Sequence, residues 1–178
     1  MENLKNKNKI TEFLKESNAI ERVYDEDSLE QAENAWSFLI EQRTITPAVV
    51  LRTHFLLMKN HGILDQYKGT YRNCPVWIGG REGINHLQIF EEIKKWCNDM
   101  NDTGWIDKWC KVPGKNYKKN FEHISKLLHV QYEKIHPFID GNGRTGRMFM
   151  NWWRIKNDLP LLIIHEGKEQ MDYYKWFK

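Results

Sequence analysis

The sequence lacks the segments that would place the protein in or across a membrane. Its purely aliphatic runs, such as residues 161–164, are far shorter than the roughly 20 residues that a spanning helix needs. The Asn- and Lys-rich start holds no apolar core of the kind that secretory signal peptides carry. We therefore expect a cytoplasmic protein without a membrane partner.

Cysteine is scarce, and neither sign of charge dominates. The three cysteines, Cys74, Cys97 and Cys110, form no Cys-x-x-Cys pair, and their odd number fits reduced thiols better than a disulfide framework. The 27 basic and 24 acidic residues leave a net charge of only +3, and the excess is scattered. We therefore do not expect nucleic acid as the main partner.

The remaining composition is that of one packed domain. A chain of 178 residues with 40% hydrophobic residues and eight tryptophans can build a real core, and no repeat or long linker divides it. We therefore predict a single domain over residues 1–178. Apolar residues recur at steps of three and four, which predicts helices over about residues 8–22, 28–42, 84–100, 117–135, 144–157 and 168–177.

Capping residues predict where two helices start. Ser28 with Gln31 three positions later reads as a capping box. Thr46 and Pro47 suit the N-cap and first position of another helix, with Gly62 as its stop.

The pattern changes between residues 69 and 81. β-formers at 70–72 and 76–78 flank the turn residues 73–75, and Gly79-Gly80 closes the stretch. This favours a short hairpin, which would be marginal alone and would leave an unpaired edge. A packed surface loop is the alternative.

Some residues are predicted to be structural. His54 and His61 match no metal-ligand spacing and are interpreted as structural or solvated. Core packing is the main expectation for four aromatic residues, with target contact as the alternative for the tryptophans and nucleotide packing for the tyrosines: Trp105, Trp109, Tyr173 and Tyr174. One face of the helix over 84–100 is predicted to be buried through Ile89, Phe90, Ile93, Trp96 and Cys97.

Most of the chemistry lies in residues 136–147, His-Pro-Phe-Ile-Asp-Gly-Asn-Gly-Arg-Thr-Gly-Arg. His136 can accept a proton, and Asp140 offers a carboxylate for a hard cation. The run 141–143 allows positive φ angles and close backbone approach, so its amides can converge on an anion. We interpret the stretch as a phosphate site.

The two arginines of this stretch support that interpretation. Arg144 and Arg147 are three residues apart at the start of a predicted helix, so both guanidinium groups can reach one phosphate chain near the positive helix end. A calcium loop beginning at Asp140 and Asn142 is the alternative, but Arg144 stands where the next ligand belongs and no glutamate closes the loop. His136 alone could also be a satisfied histidine at a helix end.

Residues 136–147 resemble the signature of the Fic (filamentation induced by cAMP) family, His-Pro-Phe-x-(Asp/Glu)-Gly-Asn-Gly-Arg-x-x-Arg, with every fixed position filled. The resemblance implies a mainly α, Fic/Fido-type helical domain whose motif loop joins two central helices, with one β-hairpin flap at 69–81. It implies an enzyme that transfers a nucleoside monophosphate, usually AMP from ATP, to a Ser, Thr or Tyr hydroxyl of a target protein and releases pyrophosphate.

The resemblance also implies residue roles. His136 would be the general base and Asp140 would hold Mg²⁺ against the α- and β-phosphates of ATP. The phosphates would be bound by Gly141, Asn142, Gly143, Arg144 and Arg147. A target segment would dock as an added strand on the flap at Val76, Trp77 and Ile78.

The N-terminal helix carries a second resemblance. Ser17 and Glu21 lie on its apolar face and resemble the Fic inhibitory pattern (Ser/Thr)-x-x-x-Glu-(Gly/Asn), as in class II, although Arg22 stands where Gly or Asn is usual. Glu21 docked on Arg147 would keep that arginine from the γ-phosphate. An ordinary amphipathic helix with a solvated glutamate is the alternative.

Other activities remain open within the resemblance. Relatives transfer UMP or phosphocholine, or remove AMP. Phosphorylation is disfavoured because the phosphorylating relatives resemble Doc, which carries a Lys where Gly143 stands. A non-catalytic module that holds a peptide at the flap is the alternative from another class, and a homo-oligomer is left open.

Overall fold

The computed structural model describes residues 2–102, 104 and 117–177. This part of the chain is mostly helical, which confirms the predicted fold class. Its α-helices are α1 (Glu2–Ile20), α2 (Glu26–Ile40), α3 (Pro47–Leu57), α4 (Ile89–Asn101), α5 (Tyr117–Ile135), α6 (Asn142–Lys156) and α7 (Lys168–Tyr174). Short 3₁₀ helices cover Asp65–Tyr67, His86–Gln88 and Lys175–Phe177. Among the described residues, no helix combines the length and apolar character needed to cross a membrane.

Helix α6 lies at the centre of the molecule. Almost every residue from Asn142 to Arg154 is buried, because α1, α2, α3 and α5 all pack around this helix. Phe149 meets the edge of Trp96 from α4 at a centroid distance of 5.3 Å, and Trp152 and Trp153 join the same core. The last residues of the motif therefore form the first turns of a helix that the surrounding helices hold in place.

The N-cap of helix α2 lies three residues before the predicted one. Its N-cap is Asp25, whose carboxylate accepts the Ser28 N–H at 2.7 Å, so Ser28 is capped rather than capping. The Gln31 side chain bonds Asp27 O and Asn60 N instead of closing a capping box. The prediction was wrong because an earlier carboxylate satisfies the same orphan amides.

Two other helix boundaries differ from the pattern, while one cap is confirmed. Thr46 caps α3 at Val49 N and Pro47 is its first residue, as predicted. The helix ends at Leu57, however, and not at Gly62. Helix α1 begins at Glu2 instead of residue 8, because the polar sequence of its first turns carries no apolar periodicity that would mark a helix.

The hairpin forms with a different turn. Strand β1 (Trp77–Ile78) pairs antiparallel with β2 (Arg81–Glu82), and Trp77 lies opposite Glu82. Gly79 and Gly80, at φ 55° and 83°, make the two-residue turn, since both centres of such a turn need the left-handed region. The predicted pairing of 70–72 with 76–78 is therefore wrong.

Helix α4 differs from the prediction in its start and in one residue of its buried face. Its start at Ile89 follows a 3₁₀ turn, and Phe90, predicted to be inward, is 52% exposed. Ile89, Ile93, Trp96 and Cys97 are buried as predicted. Trp105, Trp109 and Cys110 lie outside the described residues.

Candidate active site

The loop between α5 and α6 carries the motif. Helix α5 covers Tyr117–Ile135 as predicted and ends before Pro137, which cannot continue it. The loop is braced by Asn142, whose side-chain oxygen accepts the Phe138 N–H and whose NH₂ donates to Phe138 O, both at 2.9 Å. The Asn142 side chain is thus used within the loop, and only its main-chain amide is left to face a ligand at the start of α6.

His136 lies at the junction of α5 and the loop. Its backbone has φ 48°, a region that a histidine rarely adopts, and Arg72 holds it there by donating from Nε to His136 O at 2.7 Å. The imidazole Nδ1 lies 3.3 Å from Glu133 O. Burial lowers the pKa of His136, so the ring is neutral at physiological pH and can accept a proton.

Sequence reasoning missed Arg72. This buried side chain also donates from Nη1 to Cys74 O at 2.8 Å and from Nη2 to Ile84 O at 2.7 Å. Its own N–H donates to Pro137 O at 2.8 Å. Arg72 therefore joins the base of the flap to the motif loop, and a lone arginine among β-formers gave no signal of this.

Asp140 points toward solvent beside this loop. Its side chain is 46% exposed, and Oδ1 accepts the Gly141 N–H at 2.6 Å. Oδ2 lies 3.7 Å from His61 Nδ1 and 3.8 Å from Arg144 Nη2, beyond hydrogen-bond length. Among the described residues, no cluster of three or more His, Cys, Asp or Glu side chains suits a metal. One open carboxylate nonetheless fits Mg²⁺, which binds mainly through water and phosphate oxygens.

His54 fixes the backbone of Asp140. Its Nδ1 accepts the Gly69 N–H at 2.9 Å, so Nε2 carries the proton and donates to Asp140 O at 3.0 Å. The ring stacks on Phe138 at a centroid distance of 3.6 Å. Burial lowers the pKa of His54 to about 4, which keeps it neutral and structural.

Arg144 is buried with part of its guanidinium group unsatisfied. Nη2 lies 3.4 Å from Met58 Sδ, while Nε and Nη1 have no hydrogen-bond partner among the described residues. Buried charged donors are rarely left unpaired, so their position beside the first turn of α6 suits an anionic ligand.

Arg147 is instead fully engaged, by the N-terminal helix and by Tyr173 of α7. Nε donates to Ser17 Oγ at 2.9 Å, and Nη2 donates to Ser17 O and to Glu21 Oε1, each at 2.8 Å. Nη1 reaches Tyr173 OH at 3.3 Å. Burial by itself would lower the pKa of Arg147, but Tyr173 and Glu21 outweigh it and raise the pKa.

The Glu21 carboxylate also covers the start of α6. A Cβ added to Gly143 would overlap Glu21 Oε1, so the carboxylate lies directly on the first helical turn. This is where unpaired amides and the helix dipole favour an anion. The Glu21 carboxylate thus occupies the position at the start of α6 that favours an anion.

The end of α1 explains how Arg22 is tolerated. Arg22 N–H donates to Ala19 O at 2.8 Å and Val23 N–H to Asn18 O at 3.1 Å, the two bonds of a Schellman ending. Arg22 takes the left-handed position at φ 58°, where Gly or Asn fits with less strain. The departure from the inhibitory pattern therefore keeps the geometry that aims Glu21 at Arg147.

The structure brings Ser17 and Glu21 of α1 against the motif, and the described contacts between the flap and the motif loop lie at the base of the flap. Ser17, Glu21 and Arg147 are in contact, and Gly143 lies beneath Glu21. In the flap, Trp77 is exposed and the Val76 carbonyl accepts the Gly83 N–H at 2.8 Å. Ile78 is half-buried against Gly83.

Comparisons with known proteins agree with this architecture. The family model described as Fic/DOC family matches residues 44–153. The protein adenylyltransferase Fic of Drosophila ananassae is 28% identical over 144 residues, which cover 79% of this chain and 25% of that protein; its Drosophila melanogaster counterpart is 27% identical over 144 residues, with coverage of 79% and 26%. The chain thus spans about a quarter of the length of these curated relatives.

Solved structures show the same fold. A Fic domain containing signaling protein from Bacteroides thetaiotaomicron superposes with a TM-score of 0.75 at 20% identity, covering 98% of this chain and 73% of that one. Fic-1 from C. elegans gives a TM-score of 0.70 at 18% identity, with coverage of 92% and 52%. Since the family model matches well over half of the residues, the chain belongs to the Fic/DOC family.

Proposed function

We propose that this protein transfers AMP from ATP to a Ser, Thr or Tyr hydroxyl of a target protein, releases pyrophosphate, and is inhibited at rest by Glu21. The observation that carries the proposal is one short loop with a neutral imidazole at one end and, at the other, a buried arginine whose Nε and Nη1 find no hydrogen-bond partner in the described part of the chain. Such a pair suits proton removal from an alcohol beside a phosphate chain.

His136 supplies the base. Its Nδ1 faces Glu133 O at 3.3 Å, so the proton resides on Nδ1 and the Nε2 lone pair is free. Nε2 takes the hydroxyl proton while the hydroxyl oxygen bonds to the α-phosphorus. The bond from that phosphorus to pyrophosphate breaks.

The start of α6 binds the phosphates. The amides of Asn142 and Gly143 lie at its positive end, while the Gly141 N–H is donated to Asp140 Oδ1 and would have to be released to contact a phosphate. Arg144 Nε and Nη1, which have no hydrogen-bond partner among the described residues, would bind an anion there. Arg147 joins them once Glu21 leaves.

Asp140 is the residue that would hold Mg²⁺. Its open Oδ2 and the His54 bond to its carbonyl give a placed carboxylate with room for water and phosphate oxygens. The ion would neutralise charge on the α- and β-phosphates.

Inhibition follows from the contacts of α1. Ser17 and Glu21 together take three donor contacts of Arg147, so a triphosphate meets an arginine that is already paired. The nucleotide then lacks one anchor at its γ end, and misalignment at the α-phosphorus costs much of the rate.

The flap is the proposed docking place for the target. Among the described residues, β1 pairs with β2 alone, so its other edge is free to take an added strand. Val76, Trp77 and Ile78 would contact that strand.

The test uses purified wild type, Glu21→Gly and the double variant Glu21→Gly/His136→Ala with Mg²⁺ and ATP labelled at the α- or the γ-phosphate. We expect transfer of the α label to a lysate protein or to the enzyme itself by Glu21→Gly, and none by the double variant. Transfer of the γ label would indicate phosphorylation, and parallel UTP and CDP-choline reactions would reveal other transfers. No transfer from any donor would leave the peptide-binding module as the better hypothesis.

A further inference from the structure

Glu133 lies one helical turn before the proposed base. Its side chain is only 12% exposed, and Oε2 lies 3.9 Å from His136 Nδ1. The same residue's carbonyl is 3.3 Å from that nitrogen. Both polar groups of Glu133 therefore face the Nδ1 edge of the imidazole and leave the Nε2 edge to an incoming hydroxyl.

The carboxylate is poorly satisfied by the protein. Oε1 is buried with no hydrogen-bond partner among the described residues, and it lies 4.0 Å from His129 Nε2. Gly146 packs so closely that an added Cβ would meet Glu133 Oε1 at 2.5 Å. Packing alone therefore does not account for a carboxylate here, because an apolar side chain would fill the space without an unpaired oxygen; the charge of Arg147 does favour the ionised form.

We infer that Glu133 is a positioning residue for His136: its carbonyl keeps the proton on Nδ1, and its carboxylate stabilises the imidazolium that forms when Nε2 takes the hydroxyl proton. The inference rests on the proposed function and adds a residue to it. The arrangement matches the general rule that a base acts best when a third group orients it.

The charge balance around the pair supports this role. Burial raises the pKa of Glu133 to about 7, and Arg147 opposes that rise. A buried carboxylate at this position gains most when a cation forms beside it, and the imidazolium of His136 is such a cation. The other charged or titratable groups near the two residues, within the described part of the chain, are Arg72 from the flap base, Glu21 from α1 and Asp140 from the motif loop. Tyr173 from α7 and His129 and Tyr132 from α5 also lie near the carboxyl group.

The kinetic test is made in the active Glu21→Gly background. Glu133→Gln keeps the shape and the carbonyl but removes the charge, so kcat should fall about tenfold or more while KM for ATP stays within about twofold. The acidic limb of the pH–rate profile should move to lower pH, because Glu133, with its pKa raised to about 7, is the member of the pair that protonates first, and the variant no longer has this group. Glu133→Asp should restore part of kcat. Glu122→Gln, the same change at an exposed site on α5, is the control and should behave like its parent.

A Glu133→Gln variant with the parent's kcat and the parent's acidic limb would overturn the inference. So would a lower kcat with an unmoved limb, since that result indicates a packing role.

A second measurement needs no turnover. Histidine ¹⁵N resonances of the wild-type protein and of Glu133→Gln report the tautomer and pKa of His136 directly. We expect the Nδ1–H tautomer in both, and His136 resonances that follow the ionisation of Glu133 near pH 7 in the wild type but show no such step in the variant. Identical titration curves of His136 in the two proteins would refute the role of Glu133. If Glu21→Gly transfers no nucleotide, the proposed function fails, and this titration still decides whether Glu133 governs His136.

Discussion

Removing the charge of Glu21 should raise the rate of the proposed AMP transfer. The bond between Glu21 and Arg147 sets the expected size of this increase. Glu21 Oε1 accepts one charge-assisted hydrogen bond from Arg147 Nη2 at 2.8 Å, and its side chain is 39% exposed. Such a bond contributes about 1.5–3 kcal/mol when buried, which solvent reduces here to about 1–2 kcal/mol. Weakening the docked state by that amount raises the undocked population about 5- to 30-fold.

Two substitutions separate the effect of the charge of Glu21 from the effect of its side chain covering the first turn of α6. Glu21→Gln keeps a side chain over Gly143 but loses the ionic bond, whereas Glu21→Gly also clears the first turn of α6. We expect the initial rate of α-labelled AMP transfer to rise about 5- to 30-fold in Glu21→Gln, because the docking equilibrium shifts. The rise should be larger in Glu21→Gly, because the anion site is then open.

The matched control is Glu30→Gln, an exposed glutamate on α2 that should leave the rate unchanged. Wild-type rates in both Glu21 variants, measured on folded protein with saturating ATP, would refute the argument that this carboxylate withholds Arg147 from the nucleotide.

Three further outcomes are expected. In the Glu21→Gly background, His136→Ala should lower kcat about a hundredfold or more, the usual share of a general base, and near-normal transfer would contradict its role. Arg22→Gly should raise the free energy of unfolding by about 0.5–1 kcal/mol, since glycine fits φ 58° without strain. In a chain that keeps Glu21, it should also lower the rate of AMP transfer below that of the wild type. A lower melting temperature in Arg22→Gly would count against the Schellman ending of α1. The neutral His54, with its pKa lowered to about 4, binds its proton more weakly when folded, so its contribution to stability is present above pH 6.5 and is lost as pH falls from 6.5 toward 4. In urea unfolding across that pH range, the free energy of unfolding of His54→Gln should fall less steeply than that of the wild type. Parallel plots of this free energy against pH would refute the role given to His54.

Short-range patterns predicted the helical part of the fold well. Helix α5 was predicted to its last residue because Pro137 fixes that end, and Thr46 with Pro47 identified the start of α3. The hairpin register was not predicted, since β-formers at 70–72 competed with the two glycines that make the actual turn.

The motif offered the candidate site residues because their side chains lie within twelve consecutive positions, and their roles stay predictions. Contacts between segments that are distant in the sequence could not be predicted from local patterns. His54 reaches Asp140 across 86 positions and Arg72 reaches His136 across 64, and neither carries a local sequence signal. Glu21 was found only because its own short motif resembles a known inhibitory pattern, and its inhibitory role stays a prediction.

The most direct test of the central claim is a crystal structure of Glu21→Gly soaked with Mg²⁺ and a non-hydrolysable ATP analogue. We expect phosphate oxygens at the first turn of α6, bonded to Arg144 Nε and Nη1 and to a released Arg147, with the α-phosphorus within reach of a hydroxyl activated by His136. A nucleotide bound elsewhere, or an empty loop at saturating analogue, would contradict the account.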